Sequence, residues 1–321
     1  MAKKTAVVTG GAGFIGSSLS KKLYENGYNV VVYDDLSNGS GTKNLPREIR
    51  IKKASILNSS DLKFAFRKAD VVFHLAVKPL TMSFDKPEEV VKVNDYGSYL
   101  VAKICSELKI KLIHVSSSEV YGSAMHIPMQ EDHPLFPTTI YAGSKAAAEL
   151  YVRGFQKTEG LKMVILRPFN SYGEFMRDDT YAAVIPNFYK RIFHNLPPII
   201  HGTGKQTRDF TYVDDTAQGI MLADESSNYI GETFNIGSGK EVQILQIAKL
   251  MVEKFEEVTG KSVSNKFIFK PERKGDVKRH LASISYAKKL LHYKPKTRLE
   301  EGISKYIIWK MNKKLILSTK R

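Results

Sequence analysis

The chain has 321 residues, 42% hydrophobic and 26% charged, a composition that supports a large folded core and excludes a disordered chain. Its one cysteine, Cys105, excludes an intrachain disulfide, and no run approaches the roughly 18 apolar residues of a membrane-spanning helix. With 49 Lys and Arg against 33 Asp and Glu, the formal net charge is +16, a field that attracts anions such as nucleotides. The lysines are spread along the chain, and no basic helix with interleaved aromatics or zinc-finger spacing occurs, so they read as a solvated surface and no nucleic-acid partner is expected. The N-terminal MAKKTAVVTGG runs almost at once into a strand without the long apolar stretch of a secretory signal, so a cytoplasmic protein is expected.

Apolar runs rich in Val and Ile alternate with helical patterns. Strands are predicted at TAVVTG (5–10), NVVVYD (29–34), DVVFHLA (70–76), KLIHVSS (111–117), KMVILRP (162–168) and ETFNIG (232–237). Helices are predicted over 14–26, 87–109, 143–160, 181–195 and 242–259. Continuous apolar strands separated by helices predict a doubly wound α/β fold, a parallel sheet covered on both faces. Beyond residue 170 the regularity breaks, which predicts a smaller mixed α/β lobe on the substrate side. The cofactor domain is expected over 1–170 with 211–236 returning to it, and the lobe over 171–210 and 237–321. The terminal ISKYIIWKMNKKLIL predicts a helix packed by Ile303, Tyr306, Ile307 and Leu315 rather than a membrane anchor.

Between the first strand and first helix lies TGGAGFIG, with Gly10, Gly13 and Gly16. Glycines there permit a tight turn and close backbone approach to a pyrophosphate, and the helix N-terminus offers free N–H groups. The second strand ends at Asp34, about 20 residues past the loop. A carboxylate there accepts from ribose hydroxyls and repels a 2′-phosphate, which predicts NAD over NADP.

Tyr141 and Lys145 stand four apart at the start of a predicted helix, so phenol and ammonium share a face. A neighbouring ammonium and a positive nicotinamide ring are expected to lower the tyrosine pKa, making it a base for a substrate alcohol. Upstream, HVSSSEVYG (114–122) ends a strand in Ser116, Ser117, Ser118 and Glu119. Read alone, it is either a polar turn or part of an acid–base site. No HExxH or other metal-ligand spacing is present, so no metal is expected. His74 reads as packed or cofactor-adjacent, and GTGKQT as a turn rather than a phosphate loop.

TGGAGFIG, FHLAVK, HVSSSEVYG with YAGSK, RPFNSYG, GTGKQTRDFTYVDD and ERKGDVKRHLASISYAKKLL together span nearly the whole chain. They resemble the NAD-dependent nucleotide-sugar epimerase/dehydratase branch of the extended short-chain dehydrogenase/reductase superfamily, and most of all its UDP-glucose 4-epimerase-like members. The resemblance implies a Rossmann-type domain, NAD as cofactor, a nucleotide-diphosphate sugar (a UDP-sugar foremost) as substrate, and a homodimer formed through the helices near 87–109 and 143–160. It implies Tyr141 as base, Lys145 as its partner and holder of the nicotinamide ribose, and Ser117 on the reacting hydroxyl. Cofactor contacts are implied for Phe14, Ile15, Asn38, Ile56, Leu75, Ala76 and Asn94. On the substrate side it implies Ser118, Asn170, Arg208 and Arg273 on the diphosphate sugar, and Asp276 on the nucleotide ribose.

Three positions depart from the family pattern. Ala54-Ser55 replaces a Gly-Asp that contacts adenine, leaving Ser55 as a donor. Lys78 follows HLAV, where it is either cofactor-adjacent or an exposed lysine. Glu119 replaces the small residue of many simple 4-epimerases. Most dehydratases resemble Thr-Asp-Glu at 117–119, while mannose dehydratases and uronate decarboxylases resemble Thr-Ser-Glu; this chain has Ser-Ser-Glu. The preferred expectation is an NAD-dependent 4-epimerase working through a 4-keto sugar. A dehydratase or decarboxylase using Glu119 is the alternative, and an NAD-binding regulatory protein the non-enzymatic one.

Overall fold

The computed structural model describes residues 3–38, 41–225, 227–273 and 275–318. The side chains of 313–318 are outside the description, so the expected packing of Leu315 lies outside the described residues. The chain runs β1 (Thr5–Thr9), α1 (Phe14–Glu25), β2 (Asn29–Asp34), β3 (Arg50–Lys53), α2 (Ser59–Phe66), β4 (Val71–His74), α3 (Pro87–Val91), α4 (Ser98–Glu107), β5 (Lys111–Val115), α5 (Ile140–Glu159) and β6 (Met163–Pro168). It continues through β7 (Ser171–Tyr172), α6 (Val184–Phe193), β8 (Ile199–His201), β9 (Thr207–Arg208), β10 (Thr211–Tyr212), α7 (Val213–Leu222), β11 (Thr233–Ile236), β12 (Val242–Gln243), α8 (Ile244–Thr259), β13 (Ile268–Lys270), α9 (Ser285–Leu290) and α10 (Leu299–Ser318).

Seven strands form one parallel sheet in the order β11-β6-β5-β4-β1-β2-β3. Alternate residues face opposite ways, and the two faces bury different partners. Ala6, Val8, Val71 and Phe73 pack with Leu19 and Leu23 of α1 and Ala217 and Ile220 of α7. Val7, Val72 and Leu112 pack with Leu62 and Phe66 of α2, Val101 and Ile104 of α4, and Val152 of α5. With both faces covered, the predicted Val/Ile-rich runs are what such strands require. The strand order reverses between β1 and β4, and a crevice opens beyond their carboxyl ends. A second core cluster gathers Phe188 and Ile192 (α6), Ile247, Met251 and Phe255 (α8) and Ile303, Tyr306 and Ile307 (α10) together with Tyr212 and Val213, whereas Ala282, Ala287 and Tyr293 pack in the core of the sheet.

Several elements differ from expectation. β3 reads RIKK, mostly exposed at the sheet edge, and so lacks the apolar signal by which the other strands are recognised. The helices α2, α7 and α9 were not distinguished in the sequence pattern. The helix expected over 87–109 is split by a π-helical segment, Lys92–Gly97. Asn94, within it, is fully buried. Its Oδ1 accepts from Lys78 N–H at 2.7 Å and its Nδ2 donates to Lys78 O at 3.0 Å, and one-turn π segments of this kind mark functional sites. α5 begins three residues early because Thr139 Oγ1 accepts from Ala142 N–H at 3.1 Å, a cap that puts Tyr141 in the first turn. No helix among the described residues is long and apolar enough to cross a membrane.

Candidate active site

A cavity of about 550 Å³ runs from the carboxyl ends of β1, β2 and β4 to the lobe. Its first wall is the glycine loop. Gly10 has φ +69°, and a Cβ there would stand 2.6 Å from Ala76 N; at Gly16 it would stand 2.0 Å from Gly10 O. Neither position has room for a side chain, so backbone can approach a ligand closely. Gly13, Phe14, Ile15, Leu75 and Ala76 complete this end, and Asp34, Asn38, Ser55, Ile56 and Lys78 line the next stretch.

Asp34 already works for the fold. Its Oδ2 accepts from Ala12 N–H at 3.0 Å and its Oδ1 from Leu36 N–H at 2.8 Å. Burial raises its pKa, and these two bonds and Lys78 oppose the rise. Each oxygen keeps a second lone pair for a hydroxyl. Lys78 is turned inward, its Nζ 2.9 Å from Ser37 Oγ and 3.5 Å from Asp35 Oδ2. Asn94 is the one member of the expected set outside the cavity wall; it holds the Lys78 backbone instead. His74 is packed, with Nδ1 on Thr9 Oγ1 at 2.7 Å and Nε2 on Ser98 Oγ at 2.9 Å.

The serine run forms the middle of the cavity. Ser117 caps a 3₁₀ turn, Ser118–Tyr121, its Oγ accepting from Glu119 N–H at 3.2 Å. The Ser117 side chain also acts on Tyr141, lowering its pKa. Lys145, 2% exposed, donates from Nζ to Val115 O at 2.8 Å. Burial pushes its pKa down to about 8, against the opposing charge of Glu149.

The lowering of Tyr141 is expected from Lys145 and a bound nicotinamide ring together; the net effect of the chain's own groups is in the opposite direction. Burial pushes Tyr141 up to about 12; Ser117 lowers it and the Glu119 charge raises it. The ammonium is committed to a carbonyl of β5, and desolvation of the phenolate outweighs the rest. Glu119 is half-buried, not a carboxylate in a solvated turn. Burial raises its pKa, Arg208 pulls it down and Asp276 pushes it up.

At the lobe end, two residues expected to make separate ligand contacts grip each other. Arg208 Nη2 lies 2.5 Å from Asp276 Oδ1, and its Nη1 donates to Val277 O at 2.5 Å. A diphosphate at Arg208 has to share or replace the Asp276 contact. Ser118, Asn170 and Arg273 also line the wall. Asn170 Nδ2 is buried with no hydrogen-bond partner among the described residues, a donor left over for a ligand.

The sequence reading missed Thr81, Arg177 and Tyr181, which line the cavity on its lobe side. Arg177 grips Asp179 through Nε at 2.9 Å and Nη2 at 2.5 Å. Thr81 Oγ1 donates to Tyr181 O at 2.7 Å and Tyr181 OH to Asp85 Oδ2 at 2.8 Å, bridging the two rims. The charges in EFMRDD were the only available signal, because contacts across about 100 positions have no local pattern. Among the described residues no group of three or more His, Cys, Asp or Glu is arranged to hold a metal ion.

Residues 7–306 match the family described as GDP-mannose 4,6 dehydratase. A putative UDP-glucose 4-epimerase of Methanocaldococcus jannaschii is 33% identical over 310 residues, 95% of this chain and 98% of the relative. A dTDP-D-glucose 4,6-dehydratase of Bos taurus is 32% identical over 317 residues, 95% of this chain and 88% of the relative. The UDP-glucose 4-epimerase of Thermotoga maritima, solved with UDP-glucose, superposes with a TM-score of 0.89 at 33% identity, covering 97% of this chain and 99% of the other. The UDP-glucuronic acid 4-epimerase of Bacillus cereus, solved with UDP-glucuronic acid and NAD, gives 0.86 at 32%, covering 96% and 99%. The chain belongs to this family of extended short-chain dehydrogenase/reductase enzymes.

Proposed function

We propose, with that family membership as premise, that the protein is an NAD-dependent 4-epimerase of a UDP-hexose-type sugar, working through a transient 4-keto sugar. The observation that carries this reading is the meeting of Ser117, Tyr141 and Lys145 on one wall, between the glycine loop and the unpartnered amide of Asn170.

The cofactor end fits a dinucleotide. Gly10 and Gly16 leave no room for a Cβ, and Asp34 keeps lone pairs for ribose hydroxyls. Gly10, Gly13, Gly16, Asp34 and Ser55 would hold NAD at its adenosine and pyrophosphate end, and Lys145 would hold the nicotinamide ribose. When bound, NAD supplies a reversible hydride acceptor and a positive ring beside Tyr141. Ser117 orients the hydroxyl at sugar carbon 4. Tyr141 Oη takes the hydroxyl proton and later returns it. Asn170 and Arg273 hold the diphosphate, with Arg208 joining them as Asp276 turns to the nucleotide ribose.

Glu119 favours a second reading. A carboxyl whose pKa burial raises, beside Tyr141, can serve as the acid or base of a dehydratase or decarboxylase. Ser118 stands where the Thr-Asp-Glu dehydratases carry Asp, which weighs against those, though not against the Thr-Ser-Glu mannose dehydratases and decarboxylases. The deciding experiment incubates the protein and NAD with UDP-, dTDP-, GDP- and CDP-sugars and reads products by mass spectrometry and NMR. Unchanged mass with inverted carbon 4 supports the epimerase. Loss of water or carbon dioxide supports the second reading, and no turnover of any sugar supports a regulatory protein.

The homodimer is proposed on the same basis. Val91, Tyr96, Leu150 and Tyr151 are exposed on the helical segments of 87–107 and on α5, an apolar surface suited to a second copy. Light scattering at a single-chain mass overturns it.

A further inference from the structure

Behind the cavity lies a buried polar network with no place in the proposed chemistry. Glu149, four residues after Lys145 on α5, is fully buried, and Arg167 at the end of β6 is 3% exposed. Arg167 grips Glu149 through Nε to Oε1 at 3.0 Å and Nη2 to Oε2 at 2.7 Å. Its Nη1 donates to Tyr121 OH at 2.7 Å and to Glu131 O at 2.8 Å. Tyr121 OH donates in turn to Asn235 Oδ1 at 2.7 Å, and Asn235 N–H donates to Glu131 Oε1 at 2.9 Å.

The elements joined are those that carry the site. α5 carries Tyr141 and Lys145, the turn ending at Tyr121 carries Ser118 and Glu119 after its cap Ser117, and β6 leads into Asn170. A buried ion pair is weak support for stability, because desolvation offsets most of the attraction. Two apolar residues of similar volume would hold α5 on the sheet as well. What they would lack is a fixed negative charge one helical turn below the Lys145 ammonium.

Burial opposes the charge of Lys145. The ammonium's field in turn reaches His74 on β4 and His114 on β5, both buried. His114 has no hydrogen-bond partner for either ring nitrogen among the described residues. Tyr141 lies on the preceding turn of α5, and Glu119 acts on Tyr141 from the serine turn. Glu149 is the opposing charge that acts on Lys145.

We infer that Glu149 is a positioning residue for the site: held by Arg167 one helical turn from Lys145, it sets a counter-charge on the helix face that carries the ammonium, while the Arg167–Tyr121 bond ties that helix to the serine turn. The inference rests on the reading that Tyr141 and Lys145 act as a pair.

The test begins with a readout that needs no substrate. In protein labelled with ¹⁵N-lysine, the Lys145 ammonium signal is assigned by its loss in Lys145→Arg and titrated. The wild-type midpoint is expected near about 8. Glu149→Gln keeps an oxygen for Arg167 and removes the charge; the midpoint is expected to fall by about one unit or more. A folded Glu149→Gln protein with an unmoved midpoint overturns the inference. Tyr121→Phe removes one hydroxyl and leaves every charge in place, so it answers even where Glu149→Gln does not fold. For a sugar that the wild type turns over, it is expected to lower kcat on the order of tenfold with KM held within about twofold. An unchanged kcat overturns the tie to the serine turn. If no sugar is turned over, the functional reading fails and the Lys145 titration still decides the role of Glu149.

Discussion

The two ends of the cavity are built on different principles. At the cofactor end the wall is backbone: a loop whose glycines touch Ala76 and Gly10 itself, and a buried Asp34 spent on two N–H groups. At the lobe end the wall is charged side chains paired with each other, Arg208 with Asp276 and Arg177 with Asp179. The first end is preformed and tolerates no added atom. At the second, an anionic ligand that meets Arg208 or Arg177 finds a carboxylate already paired there. Tyr141 and Glu119 stand at the boundary, where burial from one side meets charge from the other.

The sharpest break comes at that boundary. Tyr141→Phe removes the proton carrier, and kcat on whichever sugar the panel identifies is expected to fall on the order of 10²–10⁴-fold with the thermal midpoint little changed. Retained turnover sinks the assignment.

The next effect tests the preformed end. Gly16→Ala places a Cβ 2.0 Å from Gly10 O, and displacing that backbone is expected to cost about 1–3 kcal/mol and to weaken NAD binding. Denaturant unfolding and NAD titration check it; a variant that binds NAD normally means that the loop can yield.

A third expectation concerns Lys145, whose folded pKa of about 8 lies below the usual 10.5. Between these values the unfolded chain binds the proton and the folded chain does not, so this group's contribution to stability rises with pH across that window. Below about 8 both states are protonated and the full cost of burying the ammonium, on the order of 3 kcal/mol, is present. Lys145→Met is expected to flatten that part of the stability–pH profile, measured by urea unfolding between pH 7 and 10. An unaltered slope means that Lys145 is not the group responsible.

The smallest effect is expected from Glu119→Gln, which separates the two chemistries. Epimerisation should survive within a few-fold, since Ser117 and Tyr141 remain; elimination of water or carbon dioxide should be lost. Product analysis of the variant against the wild type decides between them.

Much of the cofactor end was legible in the chain because its signals are local. A βαβ unit needs apolar runs of strand length, a tight turn before a helix needs glycine, and a shared helix face needs a spacing of four. TGGAGFIG, Asp34 and the Tyr141–Lys145 pair each satisfy such a rule within a few residues or one supersecondary unit. β3 escaped because RIKK at a sheet edge has no apolar side to show.

What only the tertiary structure decided involves partners far apart in sequence or the burial of a charge. Nothing near Arg208 announces Asp276, 68 positions away, and nothing near Asn94 announces the Lys78 backbone it holds. The direction of the Tyr141 shift follows from desolvation, a property of everything packed around the phenol. Residue type and spacing determined which groups could meet; only the folded chain determined how dry the meeting place is and which charges are already paired there.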